Sequence, residues 1–178
     1  SNSSKGKTIN YEDGLIYIDP RNDKLGAKII SKIETVKIKI KKLNLNNIDK
    51  NKYYNKSFEL GIPQIDLNKL KDKIFGIENN LDELNGIDFK KGCYVGQENT
   101  ARIKLKDKLS KKLLPIEILE GSIKIDDEIS INNNKIGKIV IGEKYPFGLI
   151  KFKDENFNFE NSLKCGDAKI KIIKPEWM

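Results

Sequence analysis

The sequence predicts an α+β protein whose last third closes as a small antiparallel β-barrel. Three observations carry this. After Pro115 the chain becomes a series of short apolar runs, each cut off by turn-forming residues, as in small all-β barrels. Before it, strand-like runs accompany a polar segment of helical character that stops at Gly61 and Pro63. The texture changes over residues 106–112, which places a domain boundary near residue 108 and gives two parts, 1–107 and 108–178. No internal repeat is evident.

Residues 15–19 read as a strand running into the turn cluster Asp19-Pro20-Arg21-Asn22-Asp23. Residues 25–30 supply a second strand. Val36-Lys37-Ile38-Lys39-Ile40 alternates apolar and charged residues, the pattern of a half-exposed strand. Residues 45–60 carry apolar or aromatic side chains at 45, 48, 53, 54, 58 and 60 and read as a helix. Residues 67–75 are either a short helix or irregular, and 79–86 a turn or a short helical piece. Gly96-Gln97-Glu98 reads as a helix start, because Ala101, Ile103 and Leu105 follow and a first-turn carboxylate suits the positive helix end. In the last third the expected strands are 116–119, 123–125, 129–131, 136–141, 149–152 and 168–173. Gly121, Asn132-Asn133-Asn134, Gly142, Pro146, Gly148 and Gly166-Asp167 punctuate them.

Composition narrows the function classes. An apolar fraction of 38% supports a real core. No apolar run approaches the ~20 residues of a membrane span. Ser1-Asn2-Ser3-Ser4 shows neither an apolar signal block nor an initiator Met, so a fragment is expected. The absence of histidine excludes a Ser-His-Asp triad, a Cys-His dyad and His-ligated metal within this chain. Cys93 and Cys165 form no CxxC and no disulfide framework, which points to a reducing compartment, here the cytoplasm. Two cysteines cannot supply four soft ligands, so zinc is not expected. The net charge is +8, but lysine is interleaved with Asp and Glu, and aromatics do not alternate with the basic residues as a stacking surface needs. The charge therefore reads mainly as a solvated surface. Arg21 and Arg102 are the chain's two arginines, and only arginine offers a planar, bidentate fork.

The most informative stretch is Lys90-Lys91-Gly92-Cys93-Tyr94-Val95-Gly96-Gln97-Glu98. It sets one cysteine between two glycines, beside an aromatic ring, with a Gln-Glu pair just beyond. Glycine lets the backbone turn sharply or lets another group approach, so the cysteine can be presented to a partner. Together with other segments in the same order, this stretch resembles the YgfZ/GcvT-like family of folate-binding proteins. Asp19-Pro20-Arg21 with Leu25-Gly26 looks like that family's first motif, and Leu60-Gly61-Ile62-Pro63 like its helix end. Asn80-Leu81-Asp82-Glu83-Leu84, then residues 88–98 and Ala101-Arg102, look like its signature. Pro175-Glu176-Trp177 resembles the end of its barrel.

The resemblance implies a fold and a set of roles. Residues 1–107 would be the C-terminal part of an aminomethyltransferase-like folate-binding domain, and 108–178 the C-terminal barrel. Family members begin well before the Asp19-Pro20-Arg21 segment. The Lys-Gly-Cys-Tyr run is similar to the branch associated with maturation or repair of iron–sulfur proteins, including tRNA-thiolating enzymes. Cys93 is the leading candidate. It is either a small buried hydrophobe, or a thiolate offered as a redox group or as a ligand of a shared iron–sulfur cluster. Lys90, Lys91 and the helix start would lower its pKa. One cysteine cannot hold a cluster whose usual ligation is four thiolates, so other ligands would come from another chain.

Asp19, Arg21, Glu78, Lys91, Gly92, Tyr94, Gly96, Gln97, Glu98 and Arg102 are the candidate contacts to tetrahydrofolate or a derivative. Each has a plainer reading. Tyr94 is a packed ring or a face beside thiol and folate, and Gly92 and Gly96 are conformational. Gln97 and Glu98 cap the helix or point into the cavity. Glu98 also stands i,i+4 from Arg102, a pairing worth only a few tenths of a kcal/mol at a surface. Asp19 and Arg21 cap a turn, or Arg21 grips the cofactor's glutamate carboxylates; Glu78 is a weaker candidate of that kind. Cys165, in a Lys-Cys-Gly-Asp turn, is expected to be incidental. The leading expectation is a folate-binding accessory protein for iron–sulfur protein maturation, with an A-type iron–sulfur carrier or a client protein as partner. Direct nucleic-acid contact and membrane attachment are not expected. A tetrahydrofolate-dependent one-carbon transferase of the aminomethyltransferase type ranks second, and a basic tRNA-binding module third.

Overall fold

In the computed structural model, which describes residues 6–92, 97–105, 109–142 and 144–178, a tight hairpin comes first. β1 (Thr8–Tyr11) and β2 (Gly14–Ile18) pair antiparallel with Tyr11 opposite Gly14. Glu12 and Asp13 alone make the turn, and Glu12 takes a φ of 48°. β3 (Ala27–Ile30) pairs with the other side of β2 and completes a three-stranded sheet. Gly14 is required at the start of β2, because a Cβ there would lie 1.9 Å from the Ile30 carbonyl oxygen.

α1 (Ile33–Lys42) corrects the strand expected over 36–40. Alternating Ile and Lys suits a strand, but lysine is also a good helix former, and the helix ends decide between them. Asp13 accepts hydrogen bonds from the Lys32 amide and from the Ser31 and Thr35 hydroxyls. A carboxylate there suits the positive helix end, and Lys39, Lys41 and Lys42 occupy the last turn, where cations are favoured. α2 (Lys50–Glu59) begins at residue 50, not at 45 as expected. The chain divides into two units, 1–56 and 57–178, within this helix. In the first unit Leu25 is the one buried apolar side chain among the described residues.

In the second unit, α2 ends as read at Gly61. The Ile62 amide donates to the Ser57 carbonyl (2.9 Å) and the Gly61 amide to the Phe58 carbonyl (2.9 Å), with Gly61 at φ 70°. This is the Schellman pattern, which needs a left-handed residue at that position. A 3-10 turn at Leu67–Leu70 follows, then reverse turns, then α3 (Gln97–Leu105), which starts where a helix start was read.

The remainder is a closed antiparallel barrel. Its strands are β4 (Lys111–Glu120), β5 (Glu128–Ile131), β6 (Asn134–Ile141), β7 (Phe147–Lys151), β8 (Ser162–Cys165) and β9 (Ala168–Ile172), in the order β4-β7-β6-β5-β8-β9. The α+β class with a terminal antiparallel barrel thus holds. β4 pairs with β7 up to Pro115 and with β9 from Ile116 onward. Pro115, lacking an N–H, sits where the strand exchanges partners. The expected strand at 123–125 is instead a bend before β5. There Asp127 accepts from the Lys124 amide (2.7 Å) while its own amide donates to the Lys124 carbonyl. β8 was not anticipated. It is short, with Ser162 and Lys164 exposed and Leu163 and Cys165 buried.

Leu114, Ile116, Ile129, Ile136, Ile139, Ile150, Leu163 and Ile170 fill the barrel interior. Cys165 belongs to that core as the last residue of β8, wholly buried; burial, with the nearby Asp127 charge, pushes its thiol up to about 11. A second layer, with Leu113, Val140, Ile141, Phe147 and Leu149, packs with Leu70 and Phe58. Phe58 meets Phe147 edge-on at 5.5 Å.

Candidate functional site

In the first unit the candidate residues Asp19 and Arg21 lie in the loop between β2 and β3. The antiparallel register that sets Ile18 opposite Ala27 brings Lys28 to this loop. Asp19 is 1% exposed. Its Oδ1 accepts from the Arg21 amide and from Arg21 Nε, both at 3.0 Å; Oδ2 accepts from Arg21 Nη2 at 2.8 Å and pairs with Lys28 Nζ at 2.9 Å. Arg21 Nη2 also reaches the Tyr53 hydroxyl at 3.4 Å, and Lys28 Nζ lies 6.0 Å from the Tyr53 ring. Burial pushes the Asp19 carboxyl up, but the bonds from Arg21 and Lys28 outweigh it and hold it well below the usual carboxylate range. The same contact raises Arg21. Asn22 continues the loop by accepting from the Lys24 amide (3.0 Å), and the Gly26 carbonyl accepts from the Asp19 amide (3.1 Å). The Nε–Nη2 edge of the Arg21 fork is thus engaged inside the protein.

In the second unit the structure organises the segments around the cysteine motif. Cys93, Tyr94 and Gly96 lie outside the described residues, as does the side chain of Gln97. On the N-terminal side, the Lys90 amide donates to Asp88 Oδ1 at 2.8 Å. On the C-terminal side, Lys104 of α3 forms an ion pair with Asp82 and lies 4.6 Å from the Phe89 ring. α3 is thereby tied to the segment 82–89 that precedes the motif. Lys91, Gly92, Glu98 and Arg102 are exposed, and a Cβ on Gly92 would meet nothing within 4 Å. Glu78 is used structurally: Oε2 accepts from the Phe75 amide (3.0 Å), and its carbonyl from the Leu113 amide (2.8 Å).

The segment before the motif is stapled to the start of β4. The wholly buried Asn80 donates through Nδ2 to the Leu113 carbonyl (2.6 Å). Glu83 pairs with the buried Lys112, whose ammonium lies 5.7 Å from the Phe152 ring and 5.5 Å from the Trp177 ring. Trp177 Nε1 in turn donates to the Leu60 carbonyl at 2.9 Å. The Leu60-Gly61-Ile62-Pro63 and Pro175-Glu176-Trp177 segments therefore meet. Asn79 Oδ1, Asn80 Oδ1 and Glu83 Oε2 are buried without a hydrogen-bond partner among the described residues, acceptors that ordered water or a donor group would satisfy.

Sequence reasoning missed Lys28, Tyr53, Lys104 and Lys112. Nothing local marks them within a lysine-rich chain; only the pairing of 15–18 with 27–30 could have pointed to Lys28. Among the described residues, no group of three or more His, Cys, Asp or Glu is arranged to hold a metal ion. No described helix is long and apolar enough to cross a membrane.

No protein-family model matches the chain. The chain is 24% identical over 173 residues to the mitochondrial iron–sulfur cluster assembly factor IBA57 of Mus musculus, covering 92% of this chain and 47% of that protein. The homologue from Neurospora crassa is 44% identical over 63 residues, covering 35% of this chain and 14% of that protein. That from Mycosarcoma maydis is 32% identical over 117 residues, covering 65% and 28%. The chain is thus similar over most of its length to IBA57 iron–sulfur cluster assembly factors, and spans about half the length of the mouse relative. All three relatives are named as mitochondrial, which points away from the general cytoplasm and corrects the cytoplasmic location expected from the cysteines. Both mitochondrial and cytoplasmic proteins can keep free thiols, so cysteine usage does not separate them.

Proposed function

We infer, from homology to IBA57 iron–sulfur cluster assembly factors along 92% of the chain, that this protein is an accessory factor in maturation or repair of iron–sulfur proteins. That homology is the observation that carries the reading. The partners are then iron–sulfur proteins, either an A-type carrier or a client, and the cluster is cargo.

Cys93 acts in this reading as a thiolate offered to the partner's cluster. Lys90 and Lys91, its neighbours in sequence, would favour the thiolate over the thiol in this reading. The ties of Lys104 to Asp82 and Phe89 support the reading, because they anchor the chain on the far side of the motif to the segment that leads into it. Lys91, Gly92, Glu98 and Arg102, all exposed, would meet the partner or the cofactor. The division into a folate-type part, 1–107, and a barrel part, 108–178, belongs to the same reading.

Tetrahydrofolate is included on the family resemblance, with no step assigned to it. The Asp19–Arg21 pair is a poor seat for a glutamate tail, since such a carboxylate would compete with Asp19 for the Nε–Nη2 edge. We read Asp19 and Arg21 as a brace of the β2–β3 loop.

The test uses full-length protein, wild type and Cys93→Ser, mixed anaerobically with a cluster-loaded A-type carrier. Visible absorption and native mass are followed. A cluster-bearing heterocomplex is expected with the wild type and not with Cys93→Ser. Equal behaviour of the two would remove the cluster role of Cys93.

A further inference from the structure

The outer face of the barrel carries a concavity of about 320 Å³ where β4, β6 and β7 run side by side. Lys111, Lys135, Lys138 and Lys151 wall it, Ile136, Gly137 and Leu149 complete its lining, and no carboxylate stands among its described lining residues. Two of the lysines face each other directly, since Lys111 is opposite Lys151 in the β4–β7 register. Like charges directly opposed across a strand pair are destabilising. Lys151 Nζ donates to the Lys135 carbonyl at 3.5 Å, which brings its ammonium toward β6. Lys135 pairs with Glu128, and Lys138 with Asp126 at 2.7 Å. Those carboxylates are 63% and 58% exposed, and exposed pairs of this kind contribute little. All four ammoniums can therefore turn toward an anion.

We propose that this concavity is an oxyanion site for a small phosphate-bearing ligand, with Lys111 and Lys151 as its principal donors. Lysine presents a compact charge with three donors, which suits the tetrahedral face of a phosphate; a planar carboxylate is better matched by the arginine fork. The volume lies at the lower end of the range of about 300–1,000 Å³ for small-molecule sites. It admits one or two phosphate groups, not an extended macromolecular surface. The site stands on the barrel alone and is independent of the role of Cys93.

The test is titration of the 178-residue chain with sodium pyrophosphate, read by amide chemical shifts against sodium chloride of matched ionic strength. Saturable shifts are expected at residues 111, 137 and 149–151. The Lys111→Gln/Lys151→Gln double variant should weaken binding about tenfold or more, as expected for loss of two charge-assisted contacts. Lys164→Gln/Lys169→Gln removes the same charge from another facing pair, on β8 and β9, and should leave binding unchanged. The melting temperature of the first variant, expected unchanged or higher, guards against misfolding. ADP binding like pyrophosphate would support recognition through phosphate alone. Equal weakening by both double variants, shifts spread over all lysine-bearing surfaces, or RNA binding at this face without any by pyrophosphate would each overturn the proposal.

Discussion

Asp19 shows how a single residue can organise a loop. Its two oxygens receive four hydrogen bonds or ion pairs, from the Arg21 amide and side chain and from Lys28, while it is almost fully buried. A buried charge of this kind persists only when it is paired and hydrogen-bonded. Its folded-state pKa lies below the ordinary value near 3.8. The stabilisation is therefore fully present above about pH 4 and fades as pH falls toward the depressed folded value. Asp19→Asn should cost about 2 kcal/mol at pH 7, the scale of a hydrogen bond to a charged group. The gap between wild type and variant should narrow between pH 4 and pH 2, as measured by thermal unfolding. A gap independent of pH would show that the carboxylate is not the source. In the sequence, Asp19 and Arg21 stand in a turn cluster that such a pair can cap. Lys28 and Tyr53 could not be seen, because their approach depends on strand register and on the position of α2.

At the scale of elements, ends mattered more than interiors. α2 has poor helical composition, yet its stop at Gly61 was legible because few residues accept a left-handed backbone. The same glycine does a second job that no local pattern reveals. A Cβ on it would lie 2.6 Å from Pro175 Cγ and 3.2 Å from Trp177 Cζ2. Gly61→Ala should therefore be destabilising by about 2–4 kcal/mol, from left-handed strain plus overpacking. Chemical denaturation would measure this. A loss well under 1 kcal/mol would show that the C-terminal segment yields without cost. α1 gives the opposite lesson. Its Ile–Lys alternation matched a strand, and the deciding cap, Asp13, comes from a hairpin turn some twenty residues before it. β8 escaped notice because two buried side chains make too short a signal, and 123–125 misled because an apolar run also suits a bend over a core.

For the whole molecule, apolar burial is very uneven. The barrel has a continuous interior of Leu and Ile side chains. In the first unit, Leu25 is buried while Ile9, Ile29, Ile30, Ile33 and Ile38 are 48–63% exposed. Stability follows buried apolar area at roughly 25 cal/mol per Å². Native-state hydrogen exchange in increasing guanidinium should therefore show β1–β3 losing protection well before β6 and β7. Simultaneous loss in all strands would mean that the two units unfold as one. The antiparallel barrel was readable because its strands are short, apolar and separated by turn residues. The order β4-β7-β6-β5-β8-β9 was not, since pairing partners lie far apart in sequence.

The sequence by itself determined the α+β class, the terminal barrel, the end of α2 and the start of α3, because each rests on local pattern or on a backbone conformation few residues accept. It also carried the motifs on which the resemblance to iron–sulfur maturation proteins rests. Only the tertiary structure decided that Asp19 is neutralised by Arg21 and Lys28, and that Lys104 anchors α3 to Asp82 and Phe89. The same holds for Trp177 closing on Leu60 and for four lysines sharing one concavity. These depend on which distant residues meet, and charge or hydrogen-bonding capacity in a lysine-rich chain does not reveal its partner until the backbone has placed it.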